Sequence, residues 1–238
     1  MNRLLFISDL HLGDTRNAPG RDERLLARLA ELIRRREYRA VLNLGDTVSR
    51  AEFLPNGADT QTLFRAYRRW RDALGVPFRE CAIFRERPFF QEIFGQDEDS
   101  AWDGLPGATV LTFSPRHEDD HEATDAQWQW LSAQIAAAAG RTVIIGSHVP
   151  YPACCSRPDT PGIYLPVPPA IRRQLETRGA PAFWAGGHFH WNVEPPLTRG
   201  SLTAFMGARF LIDAEPAKTT YLRELDLDTL QLDTITEF

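Results

Sequence analysis

Hydrophobic and polar residues follow two different patterns at the start of the chain. Residues 3–8 (RLLFIS) and 40–45 (AVLNLG) are short, nearly continuous apolar runs, which is the pattern of buried β-strands. Between them, residues 21–36 have the spacing of an amphipathic helix, with acidic residues early and arginines late, as the helix dipole favours. The pattern therefore predicts that the fold begins with a β-α-β unit.

Strand and helix patterns continue to alternate through most of the chain. Helical spacing recurs at 62–74 and at 124–140. Buried strands are predicted at 108–114 and at 141–147, each next to a helical segment. This alternation is typical of an α/β protein with parallel strands.

The last quarter of the chain has a different pattern. After an apolar strand at 181–187, the segments 201–212, 219–227 and 229–238 alternate with a period of two, and Gly and Asp turns separate them. We expect these three segments to form antiparallel strands. Residues 149–169 are too rich in proline for a helix or a central strand, and they predict a long ordered loop.

The composition narrows the possible classes of protein. With 238 residues, 43% of them hydrophobic, the chain can bury a full core, and we expect a single domain over 1–238. A net charge of −5 gives no electrostatic footprint for nucleic acid, although a local pocket could still bind a small anionic substrate. The chain has three cysteines without disulfide or zinc spacing, and neither a signal peptide nor a long apolar span. We therefore expect a cytoplasmic protein without a membrane partner.

Side chains that can bind metal ions stand at the ends of four predicted strands. They are Asp9, His11, Asp46, His148, His188 and His190. Residues two apart on an extended chain point to the same side, so Asp9 and His11 can share one ion. The carboxyl ends of the strands in an open α/β sheet meet at one edge, where such proteins place their sites. Carboxylate and imidazole ligands together suit iron, manganese or zinc, so the sequence predicts a shared metal site.

The motifs SDLHLGD, NLGDT, GSHVP and GGHFH, in this order, resemble those of the calcineurin-like metallophosphoesterase family. The resemblance covers nearly the whole chain. It implies a four-layer α/β/β/α sandwich with two central mixed sheets and a dinuclear metal centre at their edge. It also implies the metal ligands: Asp9, His11 and His190 for one ion, His148 and His188 for the other, and Asp46 as the bridge.

One motif of the family is absent. Members normally carry Gly-Asn-His-Asp or Gly-Asn-His-Glu after a strand, where the Asn binds the second metal and the His acts on the substrate. The matching stretch is Phe78-Arg79-Glu80-Cys81, with Arg79 at the place of the Asn and Glu80 at the place of the His. A guanidinium group has no lone pair to give a metal ion, so Arg79 cannot replace the missing ligand.

Three functions remain open at this point. In the first, the protein is a hydrolase that cleaves a phosphoester of a small molecule or nucleotide through a metal-bound hydroxide. Glu80 then serves as ligand or acid/base, and Arg79 binds a phosphate oxygen. In the second, one strong metal site at Asp9, His11, Asp46 and His190 supports iron-dependent redox or elimination chemistry on a small metabolite. In the third, the protein binds a ligand without turnover.

Overall fold

The computed structural model describes residues 2–56, 58–83, 86–116, 122–152, 154, 164–189, 195–209 and 220–236. Five α-helices lie within these ranges: α1 (Arg21–Arg36), α2 (Thr60–Asp72), α3 (Arg87–Phe94), α4 (Asp125–Ala137) and α5 (Pro169–Thr177). The first six strands are β1 (Arg3–Ile7), β2 (Ala40–Asn43), β3 (Phe78–Glu80), β4 (Ser100–Leu105), β5 (Ala108–Thr112) and β6 (Thr142–Ser147). The remaining strands are β7 (Ala182–Gly186), β8 (Leu197–Arg199), β9 (Leu202–Met206), β10 (Ala208–Arg209), β11 (Tyr221–Asp226) and β12 (Gln231–Ile235).

The strands form two mixed sheets. The first has the order β10-β11-β1-β2-β3, with β12 also paired to β11. In it, β1, β2 and β3 are parallel, whereas β11 runs antiparallel to β1. The second sheet has the order β4-β5-β6-β7-β9-β8, in which the four inner strands are parallel and the two edge strands are antiparallel to their neighbours.

Alternating side chains of the central strands build three layers of core. On β1, Leu4 and Phe6 pack between the two sheets, while Leu5 and Ile7 pack against the helices of the first sheet. On β6, Ile144 likewise faces the first sheet, and its neighbours pack against α4 and α5. Each sheet therefore has one face on the other sheet and one face on helices. This arrangement confirms the predicted four-layer α/β/β/α sandwich with two central mixed sheets.

The helices follow the local signals of the sequence. Helix α1 spans the predicted residues, with acidic residues in its first turn and Arg34, Arg35 and Arg36 in its last. Helix α4 begins with a capping box, in which the Thr124 side chain accepts from the Gln127 backbone N–H and the Gln127 side chain accepts from the Thr124 N–H. Capping satisfies backbone donors that a helix start otherwise leaves without partners.

One prediction about the last quarter of the chain was wrong. The segment that contains β9 was expected to be antiparallel, but β9 pairs in parallel with β7. Only β8, which precedes β9 in a hairpin, is antiparallel to it. A period of two predicts a strand with two different faces, but it carries no information on which neighbour the strand joins or in which direction. The expected antiparallel pairing does occur among β10, β11 and β12.

The proline-rich segment contains neither helix nor strand at 149–152, 154 and 164–168, the parts of it before α5 that the structure describes. Among the helices of the described residues, none combines the length and the apolar character that crossing a membrane requires.

Candidate metal centre

Five of the six predicted ligands follow the carboxyl ends of four neighbouring strands. Asp9 and His11 follow β1, and Asp46 follows β2, its parallel neighbour in the first sheet. His148 and His188 follow β6 and β7, which are parallel neighbours in the second sheet. The sixth, His190, lies outside the described residues. The ligands of both sheets therefore meet beyond the carboxyl ends of these strands, at one edge of the sandwich.

The five side chains form two groups that share one member. Asp9, His11 and Asp46 form one group, and Asp46, His148 and His188 form the other, with the possible ligand atoms of each group within 4.8 Å of one another. The Asp46 Oδ2 atom lies 3.8 Å from His11 Nε2 and 3.6 Å from His148 Nε2. Two ligands of one transition metal, each about 2.1 Å from the ion, lie at most about 4.2 Å apart. Both distances to Asp46 are within that limit.

The backbone is unusual at four of these five residues. Asp9, His11, Asp46 and His188 have φ angles of 57°, 46°, 53° and 71°, which place them in the left-handed region. Only two other non-glycine residues in the described part of the chain have positive φ. Such conformations are uncommon for non-glycine residues and persist when the surrounding structure holds them, which occurs mostly at functional sites.

Hydrogen bonds between backbones hold the two ligand loops of the first sheet together. The Asp9 N–H donates to the Gly45 carbonyl at 2.9 Å, and the His11 N–H donates to the Asp46 carbonyl at 3.0 Å. Leu12 makes a third bond of this kind to Thr47. The loop after β1 and the loop after β2 therefore act as one unit, and a shift of one loop would displace the ligands of the other.

The orientation of His148 is set by a carbonyl group of the other sheet. His148 Nδ1 lies 2.9 Å from the Leu44 carbonyl oxygen, which can only accept a hydrogen bond. In a neutral imidazole the proton is then on Nδ1, and Nε2 keeps its lone pair for a metal ion. His188 Nδ1 lies 3.2 Å from this Nε2 atom. The nitrogens of the two rings thus approach a common point beside Asp46.

The Asp9 carboxylate is held by its neighbour Ser8 and by the backbone of the loop after β7 in the second sheet. Its Oδ2 atom accepts hydrogen bonds from the Ser8 hydroxyl and, at 3.1 Å, from the His188 N–H. Gly187 makes this approach possible, because a Cβ atom there would lie 2.1 Å from Ser8 Oγ and 3.1 Å from Asp9 Oδ2. The other oxygen, Oδ1, lies 4.0 Å from His11 Nε2, on the side of the candidate metal site.

Glu80 and Arg79, the predicted catalytic residues, lie inside β3 and have other partners. Glu80 is 2% exposed and accepts from Arg71 Nη1 at 2.8 Å and from Asn43 Nδ2 at 2.7 Å. Arg79 donates to the Ser100 hydroxyl at 2.6 Å. These contacts favour structural roles for both side chains, and their direct part in catalysis stays a prediction.

The register of β2 and β3 shows which residue after β3 corresponds to Asp46 after β2. Asn43 and Glu80 are paired and end their strands. Asp46 comes three residues after Asn43, and Ile83 comes three residues after Glu80. A Cβ atom on Gly45 would lie 3.0 Å from Ile83 Cγ2. An aliphatic side chain therefore borders the ligand loops on the side of β3.

Three groups that help to hold the site were not predicted from the sequence. They are the Ser8 hydroxyl, the Asn43 amide and the Leu44 carbonyl. The amide had a visible signal, since Asn43 is a polar residue inside an apolar strand segment, AVLNLG. The other two had none, because a serine or a carbonyl beside a strand end is ordinary in any sequence.

Comparisons by sequence find no relatives. No protein-family model matches the chain, and no curated protein matches it.

Comparisons by structure find clear neighbours. One is a dimetal phosphatase from Danio rerio, with a TM-score of 0.73 and 14% identity over 99% of this chain and 98% of that protein. Another is a candidate 5'-nucleotidase from Staphylococcus aureus, crystallised with α-ketoglutarate, with a TM-score of 0.56 and 12% identity. The match to the second covers 98% of this chain and 52% of that protein. Both neighbours have folds of the metallophosphoesterase type, so the chain has the calcineurin-like metallophosphoesterase fold that its motifs predicted.

Proposed function

We propose that the protein is a metal-dependent hydrolase that cleaves a phosphoester of a small molecule or nucleotide. The observation that carries the proposal is the position of Asp46, whose Oδ2 atom lies within 4 Å of an imidazole nitrogen in each of the two ligand groups. A carboxylate shared in this way suits two ions close together, which is the arrangement used by many phosphoesterases.

The donor atoms fit transition metals. The two groups offer carboxylate oxygens and imidazole nitrogens, a mixture that suits iron, manganese and zinc better than calcium, which prefers oxygen alone. We expect Asp9, His11 and His190 to hold one ion, His148 and His188 the other, and Asp46 both. Such ions would supply Lewis acidity and would lower the pKa of a bound water molecule.

The residues of the chain prepare the site for this chemistry. The Leu44 carbonyl holds His148 in the tautomer that leaves Nε2 free of a proton. Ser8 and the His188 N–H both bind Asp9 Oδ2, which leaves Oδ1 directed at the candidate site. The side chains of Asp9, His11, Asp46 and His148 are buried, so the negative charges of the two aspartates act in a poorly solvated environment and attract cations strongly.

The names of the structural neighbours support the class of substrate. A dimetal phosphatase and a candidate 5'-nucleotidase both act on phosphate esters by their descriptions. A small anionic ester is also compatible with the net charge of −5, because the metal ions and not the protein surface would attract it.

Metal analysis combined with one substitution tests the proposal. The purified protein is analysed for manganese, iron and zinc, and the hydrolysis of p-nitrophenyl phosphate and bis(p-nitrophenyl) phosphate is measured. We expect about two metal ions per chain, as in a two-metal site. Asp46→Asn keeps the shape of the side chain but removes its charge, and it should lower binding at both sites and reduce turnover to background.

The control is Asp125→Asn, which changes an exposed aspartate at the start of α4 in the same way. It should keep full metal content and activity. Undiminished hydrolysis by the Asp46 variant would refute the proposal. One iron per chain with no hydrolysis of either ester would instead favour the non-hydrolytic iron enzyme.

A further inference from the structure

A buried polar network lies directly behind the turn that carries Asp46. Its centre is Asn43, the last residue of β2, which is 0% exposed. Its Nδ2 atom lies 2.7 Å from Glu80 Oε2 and 2.8 Å from Thr47 Oγ1, and its Oδ1 atom accepts from the Gly45 N–H at 3.2 Å. The Asn43 side chain therefore binds the turn at Gly45 and at Thr47, one residue on each side of Asp46.

Glu80 determines which way the Asn43 amide faces. An ionised carboxylate can only accept hydrogen bonds, so the group of Asn43 that faces it must be the NH₂ donor. The Oδ1 acceptor then faces the Gly45 N–H, which is the partner it needs. If the amide rotated by 180°, an oxygen would face the carboxylate and a donor would face the N–H, and both contacts would be lost.

The charge of Glu80 is itself held in place by Arg71 and Tyr67. Arg71 Nη1 lies 2.8 Å from Glu80 Oε1, and the Tyr67 hydroxyl lies 3.3 Å from the same atom. All three side chains are buried. Burying an ion pair carries a desolvation cost that a hydrophobic pair of similar size would avoid, so a buried pair is poorly explained by stability alone. A role in fixing one arrangement of neighbouring groups explains it better.

The turn that Asn43 holds is connected to three of the described ligands. The Leu44 carbonyl accepts from His148 Nδ1, and the Gly45 and Asp46 carbonyls accept from the backbone N–H groups of Asp9 and His11. The turn also carries Asp46 itself. A change in its conformation would therefore move ligands in both groups together.

We propose that Glu80 is a positioning residue that acts through Asn43: it fixes the turn at 44–47 and thereby sets the metal affinity of both ligand groups. This role differs from the ligand or acid/base role that the motif comparison predicted for Glu80. The proposal rests on the proposed metal centre, but its test measures metal binding and does not depend on which reaction the protein catalyses.

The chain contains a closely matched control. Glu224 on β11 is 3% exposed, accepts from Arg36 Nη1 at 2.6 Å and is bound by the Tyr38 hydroxyl, so it has the same kinds of partner as Glu80. Its contacts with Arg3, Arg36 and Tyr38 lie near the beginnings of β1 and β2, whereas the ligands follow the ends of these strands. Glu224→Gln should thus cost similar stability without touching the ligand loops.

The experiment compares Glu80→Gln with Glu224→Gln in the full chain. Each variant is stripped of metal and titrated with Mn²⁺ and with Zn²⁺, and its urea midpoint is measured without metal. We expect both midpoints to fall to a similar extent. Metal affinity should fall by about 10- to 100-fold in Glu80→Gln, as for other groups that orient metal ligands, and stay within about twofold of the wild type in Glu224→Gln.

A third variant tests the path through Asn43. Asn43→Leu removes the amide, so it should lower metal affinity as Glu80→Gln does, and the double variant should be little worse than either alone because both changes break the same connection. If Glu80→Gln does not fold, Tyr67→Phe removes one hydroxyl of the network and should fold and show a smaller loss of affinity.

Each outcome decides the proposal. Wild-type affinity in Glu80→Gln, or equal loss in Glu224→Gln, overturns it. A wild-type protein that binds no metal overturns both this role and the proposed function. Metal binding without hydrolysis overturns only the function, and the comparison of the two variants still decides the role of Glu80.

Discussion

Gly187 is the position at which a single methyl group should do most damage to the candidate site. It lies between β7 and His188, and its backbone has no left-handed conformation, so alanine could adopt the same φ angle. The obstacle is the lack of space for a side chain. The added Cβ atom would lie 2.1 Å from Ser8 Oγ, 3.1 Å from Asp9 Oδ2 and 3.2 Å from His148 Nδ1.

The Ser8 side chain or the backbone must move to relieve this contact, and the cost of that movement sets the expected loss of stability. Inserting a methyl group into a packed interior costs about 1–3 kcal/mol. For a protein of this length, that corresponds to a fall in Tm of roughly 2–12 °C. If the serine rotates away, its hydrogen bond to Asp9 Oδ2 is also lost, so we expect metal affinity to fall by about 10- to 100-fold.

Two further single variants and one double variant separate this cause from a general effect of alanine. Gly179→Ala is the matched control, because nothing lies within 4 Å of a Cβ atom there and its φ is not positive. Ser8→Ala removes the oxygen that Gly187→Ala would meet, so the double variant should be more stable than Gly187→Ala alone, although Asp9 is still less well held.

Thermal unfolding and metal titration of the wild type, the three single variants and the double variant check the prediction. The reasoning is refuted if the free energy of unfolding of Gly187→Ala lies within about 0.5 kcal/mol of that of Gly179→Ala and its metal affinity equals that of the wild type. The glycine would then not be needed for the close approach of the two sheets.

Two other predictions follow from the contacts of single side chains. Arg79→Ala tests the predicted phosphate-binding role: because the guanidinium donates to Ser100 Oγ, we expect KM for p-nitrophenyl phosphate to change by less than about twofold. A tenfold rise in KM with unchanged metal content would support direct binding of substrate by Arg79. At alkaline pH, stability should depend on Tyr38, since burial and then its hydrogen bond to Glu224 raise the pKa of this phenol above its ordinary value of 10.0. A phenol whose pKa is raised by folding stabilises the protein fully below its unfolded pKa, and this contribution is lost as the pH rises towards the folded value. The urea midpoint should therefore fall above about pH 10, and less steeply in Tyr38→Phe; equal slopes for the two proteins would contradict the assignment.

Much of the fold could be predicted because its signals are local. The apolar spacing of 21–36 predicted the bounds of α1, and the apolar runs of β1, β2 and β6 predicted buried strands. These patterns depend only on which faces of an element are buried. The direction of β9 could not be predicted in this way, because strand partners are chosen by contacts between distant parts of the chain.

The same distinction between local pattern and distant contacts applies to the candidate site. The positions of these side chains at predicted strand ends could be found without a structure, and their types indicated a metal site. The fold was implied by the resemblance of the motifs that contain them to the calcineurin-like metallophosphoesterase family. Three features became visible only in the folded chain: Asp46 lies between two imidazoles, Asn43 and Ser8 support the ligands, and Glu80 points into a buried network. Residue type sets what a side chain can bind, whereas the pairing and packing of strands from both sheets set which groups it meets.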